Sequence, residues 1–185
     1  MFEGIDTVVL YDELAYQDVL PVEWRVLPGA IDQALAASFT ERNVRVLQAY
    51  AAIEERAPAK PEGPETELQR LDHKVDLLLD LVGQLAAAQR PRPDPVPIRF
   101  NARGAVWRGG APLPESGAQG IAEIHLRNFT VEPLRLVGRI ADVTAEGNVK
   151  ARFSPIAPLA AALIEKLILR HHRRQIARSR LPIRR

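Results

Sequence analysis

The 185-residue chain contains no cysteine, which excludes disulfides, thiolate nucleophiles and cysteine-ligated metal sites. It has only four histidines, none in an i, i+4 ligand pair, and its few serines lie outside any Gly-x-Ser-x-Gly motif. Aromatic residues make up 5% of the chain, and no uncharged apolar run approaches the ~20 residues that a membrane span needs. We therefore expect no enzyme activity, no metal, no cofactor and no membrane span.

Charge is distributed unevenly, although the formal net charge is only +2. Residues 166–185 hold eight basic residues and no acidic one, which leaves 17 basic against 23 acidic residues in 1–165. An arginine-rich end can contact nucleic-acid phosphates, but it also complements the C-terminal dipole of a helix. No aromatic residue follows Phe153 to stack bases, so nucleic acid is not the expected partner. The chain opens without a basic and then apolar leader, and we expect a cytoplasmic location.

Six apolar residues between 68 and 85 alternate at spacings of three and four, which is the heptad pattern of a coiled coil. Leu79 and Leu81 occupy the flanking e and g positions, where a two-stranded coil carries charge, so the wide apolar seam favours four strands. The pattern predicts a heptad helix over about 65–89 and a homotetramer. An amphipathic helix packed within one subunit is the alternative. The predicted oligomerisation residues are Leu68, Leu71, Val75, Leu78, Leu79, Leu81, Val82 and Leu85.

The rest of the N-terminal half is also assigned mainly to helix. Apolar residues recur at helical spacing from about 29 to 56, whereas residues 5–27 show no clean period and are predicted to be mostly irregular, with room for one strand. Residues 1–90 are therefore assigned to a helical oligomerisation region. Prolines at alternate positions predict an extended linker over 91–97, because they exclude helix.

Apolar and polar residues alternate after the linker, in segments between 96 and 153 that are separated by glycine- or proline-containing turns. Helical spacing returns after Pro158. The predicted fold class is α+β: N-terminal helices including the coiled-coil helix, followed over 98–185 by a small antiparallel β-barrel with a C-terminal helix. The proline linker further predicts that residues 91–185 fold without the coil.

This layout resembles the PilZ domain of bacterial cyclic di-GMP signalling. The strings Asp-Val-Leu-Pro-Val-Glu-Trp at 18–24 and Asp-His-Lys-Val-Asp-Leu-Leu-Leu-Asp-Leu-Val-Gly-Gln at 72–84 resemble its atypical, tetrameric branch. The resemblance implies a barrel with a helical segment that assembles four chains. Typical members bind cyclic di-GMP with Arg-x-x-x-Arg before the first strand and Asp/Asn-x-Ser-x-x-Gly in the barrel. Paired guanidiniums clamp the phosphates, while the acid or amide and the serine hydrogen-bond the guanine.

The chain departs from both motifs of that ligand site. The two linker arginines are separated by one residue instead of three. At the best match to the second motif, Arg99 stands where the acid or amide is needed and Asn101 where the serine is needed. Arg99 and Arg103 have the spacing of an arginine pair, but on one strand they would lie ~13 Å apart, too far for a compact clamp. The degenerate positions are Arg90, Arg92, Arg99, Asn101, Arg103 and Gly104.

The sequence therefore predicts a non-enzymatic, degenerate PilZ-like signalling or scaffold protein. It is expected to form a homotetramer and to present its β domains to a protein partner that the sequence does not identify. Cyclic di-GMP is not expected to bind in the usual way. Two alternatives stay open: a cyclic di-GMP receptor with rearranged arginines, and nucleic-acid binding through the arginine-rich C-terminus.

Overall fold

The computed structural model of the protein describes residues 14–27, 29, 33–55, 92–126 and 132–179, together with ten positions between 67 and 85. Its continuous helices are α1 (Gln33–Glu55) and α2 (Pro158–Ser179). None of the described helices is long and apolar enough to cross a membrane. The strands are β1 (Tyr16–Val26), β2 (Pro95–Phe100), β3 (Gly104–Arg108), β4 (Gln119–Ile124), β5 (Leu134–Val143) and β6 (Asn148–Phe153).

The six strands form a closed antiparallel barrel in the order β1-β2-β3-β6-β5-β4. Side chains alternate between the interior and the outer wall, as the two-residue period of a strand requires. On β2, for example, Ile98 and Phe100 are fully buried, whereas Arg99 between them is not. The predicted α+β fold, with a small antiparallel barrel and a C-terminal helix, is confirmed.

Strand β1 closes the barrel, although it lies in the part of the chain that was assigned to the helical region. Its first half, up to Pro21, pairs with β2, and its second half, from Val22, pairs with β4. Proline suits the position where the strand changes partner, because it has no N–H to donate, and the Pro21 carbonyl accepts a hydrogen bond from the His125 N–H at 3.0 Å. The assignment of residues 1–90 to a helical region is therefore wrong for 16–26. Pro21 interrupts the local strand signal, and the pairing that stabilises β1 comes from distant residues.

The predicted linker is shorter than expected, because Pro95 and Pro97 already belong to β2. Pro95 lies opposite Pro21 and Pro97 lies opposite Val19, whereas pairing of β2 with β3 starts only at Ile98. Both prolines therefore lie where β2 is hydrogen-bonded on one side, and such an edge tolerates a missing N–H. Of the predicted linker, Arg92–Asp94 is the part that is described and lies outside the strand.

Helices α1 and α2 pack against each other and against the barrel. Asn43 of α1 fixes this packing: its amide donates to the Arg135 carbonyl at 2.7 Å, and its side-chain oxygen accepts from the Arg135 N–H at 2.8 Å. Arg135 lies on β5 before the pairing with β6, which involves Gly138 onward, so Asn43 takes the place of a strand partner. The helix residues that join the core are Val46, Leu47, Tyr50, Ile164, Leu167 and Ile168.

Candidate ligand site and assembly surface

The residues at the best match to the second ligand motif form the tight turn between β2 and β3. Asn101 is 4% exposed, and its side-chain oxygen accepts hydrogen bonds from the N–H groups of Arg103 (2.8 Å) and Gly104 (3.1 Å). The Asn101 N–H in turn donates to the Gly104 carbonyl at 3.0 Å. Asparagine favours such turns because its side chain can bond to the backbone two residues ahead. The oxygen of Asn101 is thus used to shape the turn and is not presented to a base.

Arg99 and Arg103 do not lie on one strand, so the sequence-based estimate of their separation is wrong. Arg99 points outward from β2, between Gln17 on β1 and Val106 on β3. Arg103 is exposed in the turn, after the strand has ended. Residues 101–103 contain neither glycine nor proline, so the local sequence gives only a weak turn signal there. The turn brings both arginines to the same end of β2.

Arg92 lies at the other end of β2. It is half-buried, and its positive charge contributes to lowering the pKa of His125, whose N–H bonds to Pro21 opposite Pro95. Six strand residues separate this end from the Asn101 turn, which is roughly 17–20 Å of extended chain. Arg90, the second arginine of the linker, lies outside the described residues. The motif positions that the structure describes therefore do not converge on one compact site.

A cavity of about 370 Å³ lies beside the turn, between the barrel and α2. Asn101 and Arg103 line it from the turn, and Glu165 lines it from α2. Sequence analysis did not predict the contribution of Glu165, because no local pattern connects α2 with a turn more than 60 residues earlier. The cavity combines one guanidinium and one carboxylate with an apolar wall made of Leu14, Ile168 and Leu169.

A partly buried charged cluster lies on the outer wall of β1, β4 and β5. Glu123 lies opposite Arg135 and accepts a hydrogen bond from its Nε at 2.9 Å, while Arg25 approaches the other carboxylate oxygen at 3.5 Å. His125 is next along the same wall, and burial lowers its pKa to about 4, with a further contribution from Arg92. These groups neutralise one another or stay uncharged, so the cluster has the features of a structural element.

A second polar cluster joins the barrel to both helices. The Tyr16 ring lies 4.1 Å from the imidazole of His171 on α2, and its hydroxyl lies 3.4 Å from that of Tyr50 on α1. Burial raises the pKa of Tyr16, so its hydroxyl stays protonated. His171 also bonds through Nε2 to the backbone oxygen of Gln17 at 2.9 Å. The cluster fixes α2 across the start of β1.

The ten described positions between 67 and 85, called the heptad segment here, are all helical. At five heptad positions large apolar side chains are 53% to 66% exposed in the single chain. Leu68 and Leu79, which belong to the predicted set, lie outside the described residues, and Val75 is half-buried. The five exposed side chains are Leu71, Leu78, Leu81, Val82 and Leu85. Exposed apolar area of this density is typical of a surface that a partner covers.

Comparison with known families identifies the chain. The family model for the atypical PilZ domain, described as a cyclic di-GMP receptor, matches residues 45–181. The chain belongs to the atypical PilZ family. Among solved structures, a PilZ protein from Xanthomonas campestris is similar with a TM-score of 0.70 and 24% identity, over 93% of this chain and 95% of that one. That protein is described as a tetrameric PilZ domain that self-assembles through an unusual helical bundle. Comparison with curated proteins gave no match.

The match to the PilZ family starts within α1, so it leaves out β1. Yet β1 supplies the strand that joins β2 to β4 in the closed barrel. The PilZ barrel of this chain is therefore completed by residues that precede the family match. The domain thus belongs to a family that is described as a cyclic di-GMP receptor.

Proposed function

We propose that this PilZ protein is a non-enzymatic signalling scaffold that self-assembles through the heptad segment and does not bind cyclic di-GMP in the usual way. The observation that carries the proposal is the exposed apolar stripe on that segment, from Leu71 to Leu85. Leaving such side chains in water forfeits roughly 1.5–3 kcal/mol each. Association of several copies recovers this free energy by burying the apolar stripe between the chains.

Four chains are the stoichiometry that the pattern favours. Leu81 is at a flanking position of the heptad and 55% exposed, and two-stranded coils bury such positions poorly. The similar Xanthomonas campestris protein is described as a tetramer held by a helical bundle, which supports the same arrangement here. A tetramer would present four barrels around one bundle, and this multiplicity suits a scaffold because it raises the effective concentration of a bound partner.

The site geometry supports the loss of the usual ligand mode. Asn101 uses its side-chain oxygen within the turn, and Arg92 lies at the opposite end of β2 from Arg103. A clamp on a cyclic dinucleotide needs guanidiniums that converge on its phosphates and an acceptor for guanine. Each charge-assisted hydrogen bond that is missing costs about 1.5–3 kcal/mol, so losing several would weaken micromolar binding to millimolar.

One observation favours a second candidate, a cyclic di-GMP receptor with rearranged arginines. The β2–β3 turn brings Arg99 and Arg103 to the same end of β2, and Arg103 borders the 370 Å³ cavity. The family itself is described as a cyclic di-GMP receptor. In this candidate the two arginines would replace the pair that the linker lacks.

Calorimetric titration with cyclic di-GMP at physiological salt separates the two candidates. We expect no saturable heat at micromolar ligand for the natural chain or for the Arg99→Ala, Arg103→Ala double variant. Arg108→Ala, which removes an exposed arginine outside the turn, is the matched control. Saturable micromolar binding that the double variant loses and the control keeps would contradict the proposal and establish the rearranged receptor.

A further inference from the structure

Two arginines face each other on the outer wall of the barrel, and one of them lies next to the β2–β3 turn, opposite Gly104. Arg139 on β5 and Arg152 on β6 are directly opposite in the strand register, and both are exposed. Directly opposed residues of an antiparallel pair have Cβ atoms only ~5 Å apart, and like charges in this arrangement are destabilising. The register thus places two like-charged residues side by side, an arrangement that costs stability.

The neighbours of this pair do not compensate its charge. The row across the strands reads Gln119, Arg139, Arg152 and Gly104, so a neutral amide flanks one arginine and a glycine flanks the other. Within the described part of the chain, neither guanidinium has an ion-pair partner. The nearby carboxylate of Asp142 pairs with Lys150 at 3.4 Å. A β-bulge between Ile140 and Asp142 separates that acid from the row.

The pair lines an open groove with a volume of about 820 Å³. Among its described lining residues there is no acidic one, and Gln119, Ser116 and Ser154 add polar side chains around the arginines. Val137 is half-buried and provides an apolar strip next to them. Two neighbouring arginines supply positive charge that matches the two negative charges of a phosphate, and forked guanidiniums bind its oxygens in pairs. The groove is larger than one phosphate and has room for an organic group.

We propose that this groove is a binding site for a small organic phosphate, whose phosphate is held between the guanidiniums of Arg139 and Arg152. The bound dianion removes the repulsion between the two arginines. The amide of Gln119 offers a further donor, and the organic part of the ligand lies along Val137. The groove adjoins the β2–β3 turn, because Arg152 lies opposite Gly104, but its described lining residues include none of the motif positions.

Calorimetry and thermal melting of the full chain with inorganic pyrophosphate as the probe test this site. The natural chain should bind pyrophosphate saturably and melt at a higher temperature with it, while acetate should have little effect. Each single variant, Arg139→Gln or Arg152→Gln, should weaken binding by about tenfold or more, and the double variant should abolish it. Arg108→Gln, on the outer wall of β3 and outside the groove, should bind like the natural chain.

The melting temperature without anion serves as the control for folding. The double variant should melt at the same temperature as the natural chain or higher, because it loses a repulsive pair. Three results would overturn the proposal: no saturable binding of pyrophosphate by the natural chain, undiminished binding by the double variant, or an equal loss in Arg108→Gln. The last result would indicate general surface attraction, which salt would screen.

Discussion

Two asparagines show how single side chains replace missing backbone partners in this barrel. Asn43 bonds to both the N–H and the carbonyl of Arg135 beyond the end of the β5–β6 pairing, and Asn101 closes the β2–β3 turn. A buried backbone group without a partner costs about 1–3 kcal/mol. Each of the two asparagine side chains therefore stabilises the barrel by bonding to backbone groups that no neighbouring strand pairs with. At position 101 this structural role also removes a polar group from the candidate ligand site.

His125 is the residue for which a pH effect is expected. Burial lowers its pKa from 6.5 to about 4, and Arg92 adds to the effect, so the folded protein holds the neutral imidazole. In the unfolded chain the group gains a proton below about pH 6.5, which the folded state does not bind until about pH 4. Its contribution to the free energy of unfolding is therefore present above pH 6.5 and is lost as the pH falls toward 4.

The matching experiment is denaturant unfolding of the natural chain and of His125→Gln between pH 7 and 4.5. Between pH 7 and 4.5, the free energy of unfolding should fall by up to ~3 kcal/mol more for the natural chain than for the variant. The reason is that one pKa unit corresponds to about 1.4 kcal/mol. His172→Gln, which removes an exposed histidine on α2, should behave like the natural chain. Identical pH dependence for the natural chain and His125→Gln would show that the imidazole is not held neutral.

At the scale of elements, the role of β1 in the barrel indicates that residues 91–185 do not fold without it. It pairs with β2 on one side and β4 on the other, so a fragment of residues 91–185 would leave two strand edges open in the barrel wall. It would also lose Tyr16 and Leu20 from the core, and Tyr50 and Leu47 that α1 packs against it. The earlier inference from the proline linker, that this fragment folds by itself, is replaced by the opposite expectation.

The isolated 91–185 fragment should therefore melt without cooperativity and give weak near-ultraviolet circular dichroism. Adding a synthetic peptide of residues 14–27 and another of residues 33–55 should restore part of the native signal, because these segments carry the missing partners. A scrambled peptide of the same composition as 14–27 is the control. Cooperative, monomeric unfolding of the fragment alone would mean that β1 and α1 are dispensable for the barrel.

For the whole molecule, the central prediction concerns assembly. Light scattering after size exclusion should show a tetramer for the natural chain, and Leu78→Asp should give monomers whose barrel stays folded. An unpaired carboxylate buried in the bundle costs on the order of several kcal/mol per chain. Leu159→Asp is a matched control, because Leu159 on α2 is 59% exposed and Leu78 is 60% exposed. The control variant should remain tetrameric.

A monomeric natural chain would contradict this assembly, and so would a Leu78→Asp variant that stays tetrameric. The first result would require that another part of the subunit covers the heptad stripe. The second would place the contact between chains elsewhere on the molecule. Neither result would affect the barrel, whose strand pairing lies within one chain.

The local sequence alone was enough to predict the helices and most of the barrel strands. The apolar spacing around α1 and α2 is a property of neighbouring residues, and so is the alternation along β5 and β6, because side-chain direction repeats every 3.6 or every two residues. The heptad register of residues 68–85 follows in the same way, and the described residues there are helical. The resemblance to PilZ proteins rested on this order of elements and on two short strings.

Only the tertiary structure decided which strands are neighbours. The strand order in turn determined which distant residues lie close together. Pairing across more than 70 residues places β1 between β2 and β4, although Pro21 weakens its local signal. The same long-range register brings Arg139 opposite Arg152 and separates Arg92 from the Asn101 turn. Strand pairing depends on contacts between residues distant in sequence, which no local period encodes. The composition of the chain and the spacing of its apolar residues therefore determined most of its helices and strands. The closure of the barrel determined which residues come together in the candidate ligand sites.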